Sequence, residues 1–404
     1  MPATRRWLAE GGRSYPNAWV TTPLCCPARA TVMTGQYAHN HDVKTNDGGE
    51  AQKLDQQSTL QYQLQEAGYR TGLFGKYLNK WAADEAPPHF DSNLSYSFGS
   101  PFVDGEWNKD GKLVQLKGYS TKLLGDAALD FIAGTESEDD KPWFALITPP
   151  APHTPATPEA KYEDASVPAW AGNPAVFDDR TGKPPFLRTA TTSFKGGNRF
   201  RKAQLRSLMS VDDMVNRLMK RLGRMGERDN TFVLFLSDNG FSWGEFGFFG
   251  KSLPYTYVVK IPFLMRGPGI DAGSVDERNV THVDIAPTIF DVTGVAGGTE
   301  QPLDGRSLMD PGWSRDRLLL EYWKTTRYIP QTWESLRTET YQYVRYRGPG
   351  GAITFEEFYD LSADPWQTDN LLADADPASP SPARLAQIRR QLDADLACSG
   401  SRCP

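Results

Sequence analysis

Cys25 stands two residues before Pro27 and four before Arg29, and a Thr34-Gly35 pair closes the same stretch. That pattern describes a reaction centre rather than a packing motif. Pro27 suits the first turn of a helix, where its missing N–H costs nothing. Gly35 suits the far end as a left-handed cap. Cys25 is therefore expected at a helix N-terminus, where unpaired N–H groups and the helix dipole favour an anion. The plainer alternative is that Cys25 and Cys26 are two small buried hydrophobes. Pro27, Arg29 and the Thr-Gly turn together favour the chemical reading.

Other groups able to do chemistry follow apolar runs. Ser237-Asp238-Asn239-Gly240 sets a carboxylate and an amide oxygen side by side on a tight turn, which suits a hard cation such as Ca²⁺. An ordinary Asp-Asn-Gly turn is the alternative. Lys76, in Gly75-Lys76-Tyr77, and Lys251, in Gly250-Lys251-Ser252, each offer a compact cation on a long stem. His153 lies in the rigid run Pro149-Pro150-Ala151-Pro152-His153-Thr154-Pro155, and an imidazole near neutrality suits proton transfer. A solvated surface Lys and a turn His without a role are the alternatives.

The elements that position these groups read as alternating strands and helices. Ser58-Thr59-Leu60-Gln61 resembles a capping box opening a helix that buries Leu60, Leu64 and Ala67 and ends at Gly68. Strands are expected over Tyr69 to Phe74, Trp143 to Thr148, Thr231 to Leu236 and Ile261 to Met265. The spacing of Leu205, Leu208, Met209, Val215, Leu218 and Leu222 predicts a helix from Arg201 to Leu222. Asp284 is expected to cap a helix running to about Val292, with Gly294 past its end. The pattern implies an α/β fold with a large, mainly parallel sheet flanked by helices. Lys76, His153 and Asp238 each follow a strand, where sites form in such sheets. Residues 84–118 and 154–198 read as long surface loops. Residues 1–310 read as the catalytic domain and 311–404 as a smaller α+β subdomain, with strands at Leu318 to Tyr322 and Tyr341 to Tyr346.

Composition narrows the function further. The chain has 404 residues, 39% hydrophobic, ample for a sizeable core. Its net charge of −6 has no long single-sign blocks, which argues against a nucleic-acid partner. No apolar run approaches the roughly 18 residues of a membrane span. The N-terminal residues carry no apolar signal-peptide core. Cys398 and Cys403 could close a disulfide loop, which would suit an oxidising compartment, or stand as two thiols.

The run Leu24-Cys25-Cys26-Pro27-Ala28-Arg29 with Thr34-Gly35 resembles the signature of the type I sulfatases, in which the first Cys is oxidised by a dedicated enzyme to formylglycine. Lys76-Tyr77-Leu78-Asn79, the Cys-Cys-Pro run and His39-Asn40-His41 are similar to the glucosamine-6-sulfatase branch. Tyr359-Asp360-Leu361, Asp364-Pro365 and Asn370-Leu371 resemble the family's C-terminal segment. The resemblance implies an alkaline-phosphatase-like fold, secretion or a periplasmic location, and hydrolysis of a sulfate monoester on a sulfated sugar. A phosphate or phosphonate monoester hydrolase and a non-catalytic glycan binder are the alternatives. By the same resemblance, Cys25 as formylglycine is nucleophile and metal ligand, Asp238 and Asn239 bind Ca²⁺, Lys76 and Lys251 hold the sulfate, His153 assists the leaving group, and Arg29 steadies the nucleophile. The partners implied are the sulfated substrate and the formylglycine-generating enzyme. His39, His41 and His282 are read as structural. Two departures stand out. Phe241-Ser242-Trp243 and Tyr255-Thr256-Tyr257 replace polar residues common in the family, which bears on specificity. The family's first strand, ending in an Asp-Asp pair, has no counterpart before Leu8-Ala9-Glu10-Gly11-Gly12, which would leave sheet edges exposed and the metal short of ligands.

Overall fold

Strands end where the chemistry begins. The computed structural model describes the chain apart from residues 97, 98, 100, 139, 140, 299, 300, 326–328, 330, 374 and 375. Arg70–Lys76 runs within a five-stranded sheet, parallel to Ser92–Tyr96 on one side and to Trp143–Thr148 on the other. Its middle residues are buried, as its apolar run demands of a strand covered on both faces. A second sheet orders Ser274–Val275, Arg13–Ser14, Phe263–Arg266 and Val233–Leu236. Phe263–Arg266 pairs antiparallel with Val233–Leu236, because the intervening chain turns back through the site loops instead of crossing over in a long helix. The α/β class holds, while the ladders are mixed.

Trp143–Thr148 and Val233–Leu236 are each the edge of their sheet, and every residue of both is partly exposed. Ile147 and Phe235 nonetheless line one apolar cluster with Val211 and Met214 of the long helix.

Several expectations are corrected. Residues 84–118 are not a loop: Ser92–Tyr96, Val103–Lys109 and Lys112–Tyr119 are strands. The last two form a hairpin whose turn, Asp110-Gly111, has φ 51° and 81°, the left-handed pair that a two-residue turn requires. The segment looks polar because this hairpin ends the sheet and faces solvent. The long helix spans Phe194–Met225, starting well before Arg201, with Ser193 capping the Gly196 N–H. Gly196-Gly197 reads as a loop signal in sequence, but the helix needs Gly197 because a Cβ there would overlap the Trp243 carbonyl. The capping box at Ser58 does not form. Thr59 precedes helix Leu60–Glu66, yet its hydroxyl donates back to the Gln56 carbonyl. Asp284 caps a preceding turn with Thr281, and its carboxylate also accepts two hydrogen bonds from buried Arg315. The helix that follows, Ile285–Thr293, does end at left-handed Gly294.

The C-terminal residues build a four-stranded antiparallel sheet, Leu318–Tyr322, Thr332–Arg337, Tyr341–Arg347 and Ile353–Asp360, and then a helix, Pro382–Asp395. Leu320, Trp333 and Tyr346 share one apolar cluster with Val20, Leu24 and Leu253. The Glu321 N–H donates to the Thr21 carbonyl at 2.9 Å. Cys398 and Cys403 form a disulfide.

Candidate active site

Cys25 opens the helix Cys25–Thr34. Leu24 is extended and offers no side-chain cap, so the first N–H groups are left for other partners. Asn46, from a loop, accepts the Cys26 N–H at 2.8 Å. Gly35 ends the helix at φ 69°, in the left-handed conformation expected of it. Pro27 falls within the first turn, where its ring fixes φ and forfeits no intrahelical bond.

The two adjacent cysteines occupy opposite environments. Cys26 packs among Met33, Leu73 and Tyr77, and burial pushes its thiol up to about 12. Burial also raises the Cys25 thiol, but Lys251 and Lys76 outweigh it, and the thiol lies well below its ordinary value. The Lys251 ammonium sits 2.5 Å from the Cys25 sulfur and 3.2 Å from the Asn239 side-chain oxygen. Cys25 is only 1% exposed, so this ammonium lids the reactive atom.

Lys76, Asp238 and His153 come from strand ends or the loops that follow them. Lys76 is the last residue of Arg70–Lys76. Its carbonyl accepts from the Thr148 hydroxyl at 2.8 Å and from the Arg29 guanidinium, which also donates to the Tyr77 carbonyl. Gly75 is required beside it: at φ 125°, a Cβ would overlap the Thr148 carbonyl. Arg29 thus fixes the strand end that carries Lys76 and stands 4.0 Å from the Asp238 carboxylate. Asp238 follows Val233–Leu236. Burial opposes its ionisation, yet Lys251, Lys76, Arg29 and His153 hold it below the usual carboxylate range. His153 lies on the loop after Trp143–Thr148, its Nδ1 2.8 Å from the Thr154 carbonyl, and it contributes to lowering the Cys25 thiol. The structure therefore brings Cys25, Arg29, Lys76, His153, Asp238, Asn239 and Lys251 together.

His39, His41 and His282 do what a fold asks of them. His39 bridges Glu321 at 2.9 Å and the Cys398 carbonyl at 3.0 Å. His41 is buried against the Thr31 hydroxyl, and His282 meets the Ser237 carbonyl.

Three positioning residues carry no sequence signal. The Trp333 indole donates to the Ser252 carbonyl at 2.8 Å and so anchors the Lys251 loop from the C-terminal sheet. Ser252 itself is held at φ 79°, a costly conformation for a residue with a Cβ. Gln204 donates to the Pro152 carbonyl beside His153 and accepts from the Trp243 indole at 2.6 Å. Asn46 is the third. All three act across long sequence separations, where spacing is silent.

A hard divalent cation takes roughly six to eight oxygens. Here one carboxylate and one amide oxygen stand among two ammonium groups and a guanidinium, and the amide oxygen already accepts from Lys251. Among the described residues, the one group of three His, Cys, Asp or Glu spaced for an ion is His39, Cys398 and Cys403, and its two sulfurs are joined in the disulfide. The described residues do not fit a complete Ca²⁺ shell.

The fold and the cluster around a helix-borne Cys25 define an α/β protein with a buried, cation-lined site. A family model described as Sulfatase matches residues 1–295, and one described as N-sulphoglucosamine sulphohydrolase, C-terminal, matches residues 244–394. The chain belongs to the sulfatase family. This family generally works with formylglycine and a metal.

The N-acetylglucosamine-6-sulfatase of Homo sapiens is 30% identical over 463 residues, covering all of this chain and 82% of that protein. The extracellular sulfatase SULF-1 homolog of Drosophila melanogaster is 34% identical over 340 residues, which is 80% of this chain. The chain spans 30% of that relative and 46% of its Caenorhabditis elegans counterpart. A solved structure of a protein with its substrate D-glucosamine-2-N,6-O-disulfate superposes with a TM-score of 0.83 at 23% identity, covering 97% of this chain and 91% of the other. A phosphonate monoester hydrolase of Agrobacterium radiobacter superposes at 0.73 and 21% identity, covering 97% and 90%. No helix among the described residues is long and apolar enough to cross a membrane.

Proposed function

We propose that this chain hydrolyses sulfate monoesters of sulfated sugars outside the cytoplasm, after a partner enzyme has matured Cys25 to formylglycine. The observation that carries this reading is the Lys251 ammonium 2.5 Å from the Cys25 sulfur at a helix N-terminus, with Lys76 beside it. Such a nest of donors suits the singly charged oxyanion of a sulfate monoester more than a neutral ester.

Formylglycine, once hydrated, supplies two hydroxyls on one carbon, one to attack sulfur and the other to let sulfate leave. The remaining work falls to this chain's own residues. Lys76 and Lys251 neutralise sulfate oxygens and hold the sulfur before residue 25. Asp238, kept ionised by its cationic neighbours, is the base at that residue. His153 delivers a proton to the ester oxygen as the sulfur–oxygen bond breaks. Arg29 ties Lys76 to Asp238. Asp238 and Asn239 would be two ligands of the family's metal, but no step here passes through it, because the described residues hold too few oxygens.

Side-by-side initial rates on an aryl sulfate and an aryl phosphate test the reading. A clear preference for sulfate supports it, and a preference for phosphate moves the chain to the phosphonate hydrolase side of the fold. The other outcome to be distinguished is a relative that binds sulfated glycans without turnover. Binding of sulfated glycan with no release of sulfate by the matured chain would decide for that one.

A further inference from the structure

Single exposed apolar residues are ordinary on a protein surface, but a contiguous patch of rings marks a binding surface. A cluster of three rings, Phe249 exposed and Phe200 and Phe241 partly buried, lies beside this site. Phe200, Phe241 and Phe249 form a closed triangle, with ring centroids 5.2, 4.9 and 5.1 Å apart. Phe249 is 40% exposed. Phe241 lies two residues past Asn239, and Phe249 two residues before Lys251. Two residues of extended chain span at most about 7 Å, so the backbones of Phe241 and Phe249 lie within that reach of the backbones of Asn239 and Lys251.

The triangle is built rather than accidental. Phe249 pairs with Trp243 in a two-stranded ladder. The start of the long helix, bearing Phe200, lies against that ladder through Gly197. Arg201 places its guanidinium 5.6 Å from the Trp243 ring and 5.7 Å from the Trp170 ring, and donates to the Pro168 carbonyl. An aromatic shelf held this firmly has little ordering entropy left to lose on binding.

We infer that Phe200, Phe241 and Phe249, with Phe249 edge-on to the other two rings, form the aromatic platform against which the sugar ring carrying the scissile sulfate packs, with its anionic group reaching Lys76 and Lys251. The inference rests on the sulfatase reading and names its leaving-group site. The apolar C–H face of a pyranose suits the electron-rich face of an aromatic ring, while the lysines supply the charge complement.

The test is calorimetric titration of N-acetylglucosamine 6-sulfate and of inorganic sulfate into the full chain in a Cys25→Ala background, where ligand is not consumed. The sugar sulfate should bind more tightly than inorganic sulfate. Phe249→Ala and Phe200→Ala should each weaken the sugar sulfate about tenfold, about 1.4 kcal/mol, and leave inorganic sulfate unchanged. Equal weakening of both ligands, no weakening of either, or no preference for the sugar in the parent would overturn the platform. Exposed Phe249 keeps the test sound if Phe200→Ala unfolds. Turnover by the chain with Cys25 intact is measured separately, so loss of the platform and loss of the sulfatase reading are distinct results.

Discussion

The Lys251 ammonium donates both to the Cys25 sulfur at 2.5 Å and to the Asn239 side-chain oxygen at 3.2 Å. One buried cation thus joins the reactive atom, the end of one strand and the loop held by the C-terminal sheet. In the unmodified chain this makes Cys25 the reactive thiol and leaves Cys26 inert. Its thiolate, followed by ultraviolet absorbance against pH, should form well below the ordinary thiol range, and Lys251→Met should move that transition upward. An unmoved transition would show that Lys251 does not set the charge at residue 25.

His153 is assigned to the leaving group, so its removal should be felt unequally. His153→Ala should slow a sugar sulfate by about 100-fold or more and an activated nitrophenyl sulfate much less, since a good leaving group needs little protonation. Equal slowing of both would remove His153 from that role.

The strand-and-helix alternation, the helix N-terminus at Cys25 and the positions of Lys76, His153 and Asp238 are legible in the sequence because each rests on a local rule. Pro27 and Gly35 bracket a helix, and apolar runs end at the site residues. The hairpin around Asp110-Gly111 was masked by its own exposure: polar residues at a sheet edge read like a loop. The early start of the long helix was masked by Gly197, a glycine chosen for close packing against Trp243. Trp333, Gln204 and Asn46 could not be read at all, because hydrogen bonds between distant segments leave no periodicity.

Trp333 offers a test of how the C-terminal sheet governs the site. Trp333→Phe keeps most of the buried ring and loses the hydrogen bond to the Ser252 carbonyl, a stability cost of about 1 kcal/mol. Because that carbonyl borders Lys251, kcat/KM should fall by more than this small destabilisation explains. A parallel small loss in both would make Trp333 a packing residue alone.

His41 and His282 are buried neutral. Burial depresses His41 to about 3 and His282 to about 4, against 6.5 in the unfolded chain. Between these values the unfolded state binds more protons, so stability rises with pH there. It is fully present above about pH 6.5 and declines as the pH falls toward 4. Each group should remove about 1.6 kcal/mol between pH 6.5 and 5. Denaturant unfolding at those two pH values checks this, and His41→Gln should flatten the dependence. A flat profile in the parent would contradict the burial of neutral imidazoles.

The most direct test of the account is sulfate release from N-acetylglucosamine 6-sulfate by the chain produced together with a formylglycine-generating enzyme, alongside Cys25→Ser and Cys26→Ser, with mass spectrometry of the peptide bearing residue 25. The account predicts an aldehyde at residue 25, sulfate release by the parent and by Cys26→Ser, and none by Cys25→Ser. Release by Cys25→Ser at the parent's rate, or none by a parent that carries the aldehyde, would contradict it.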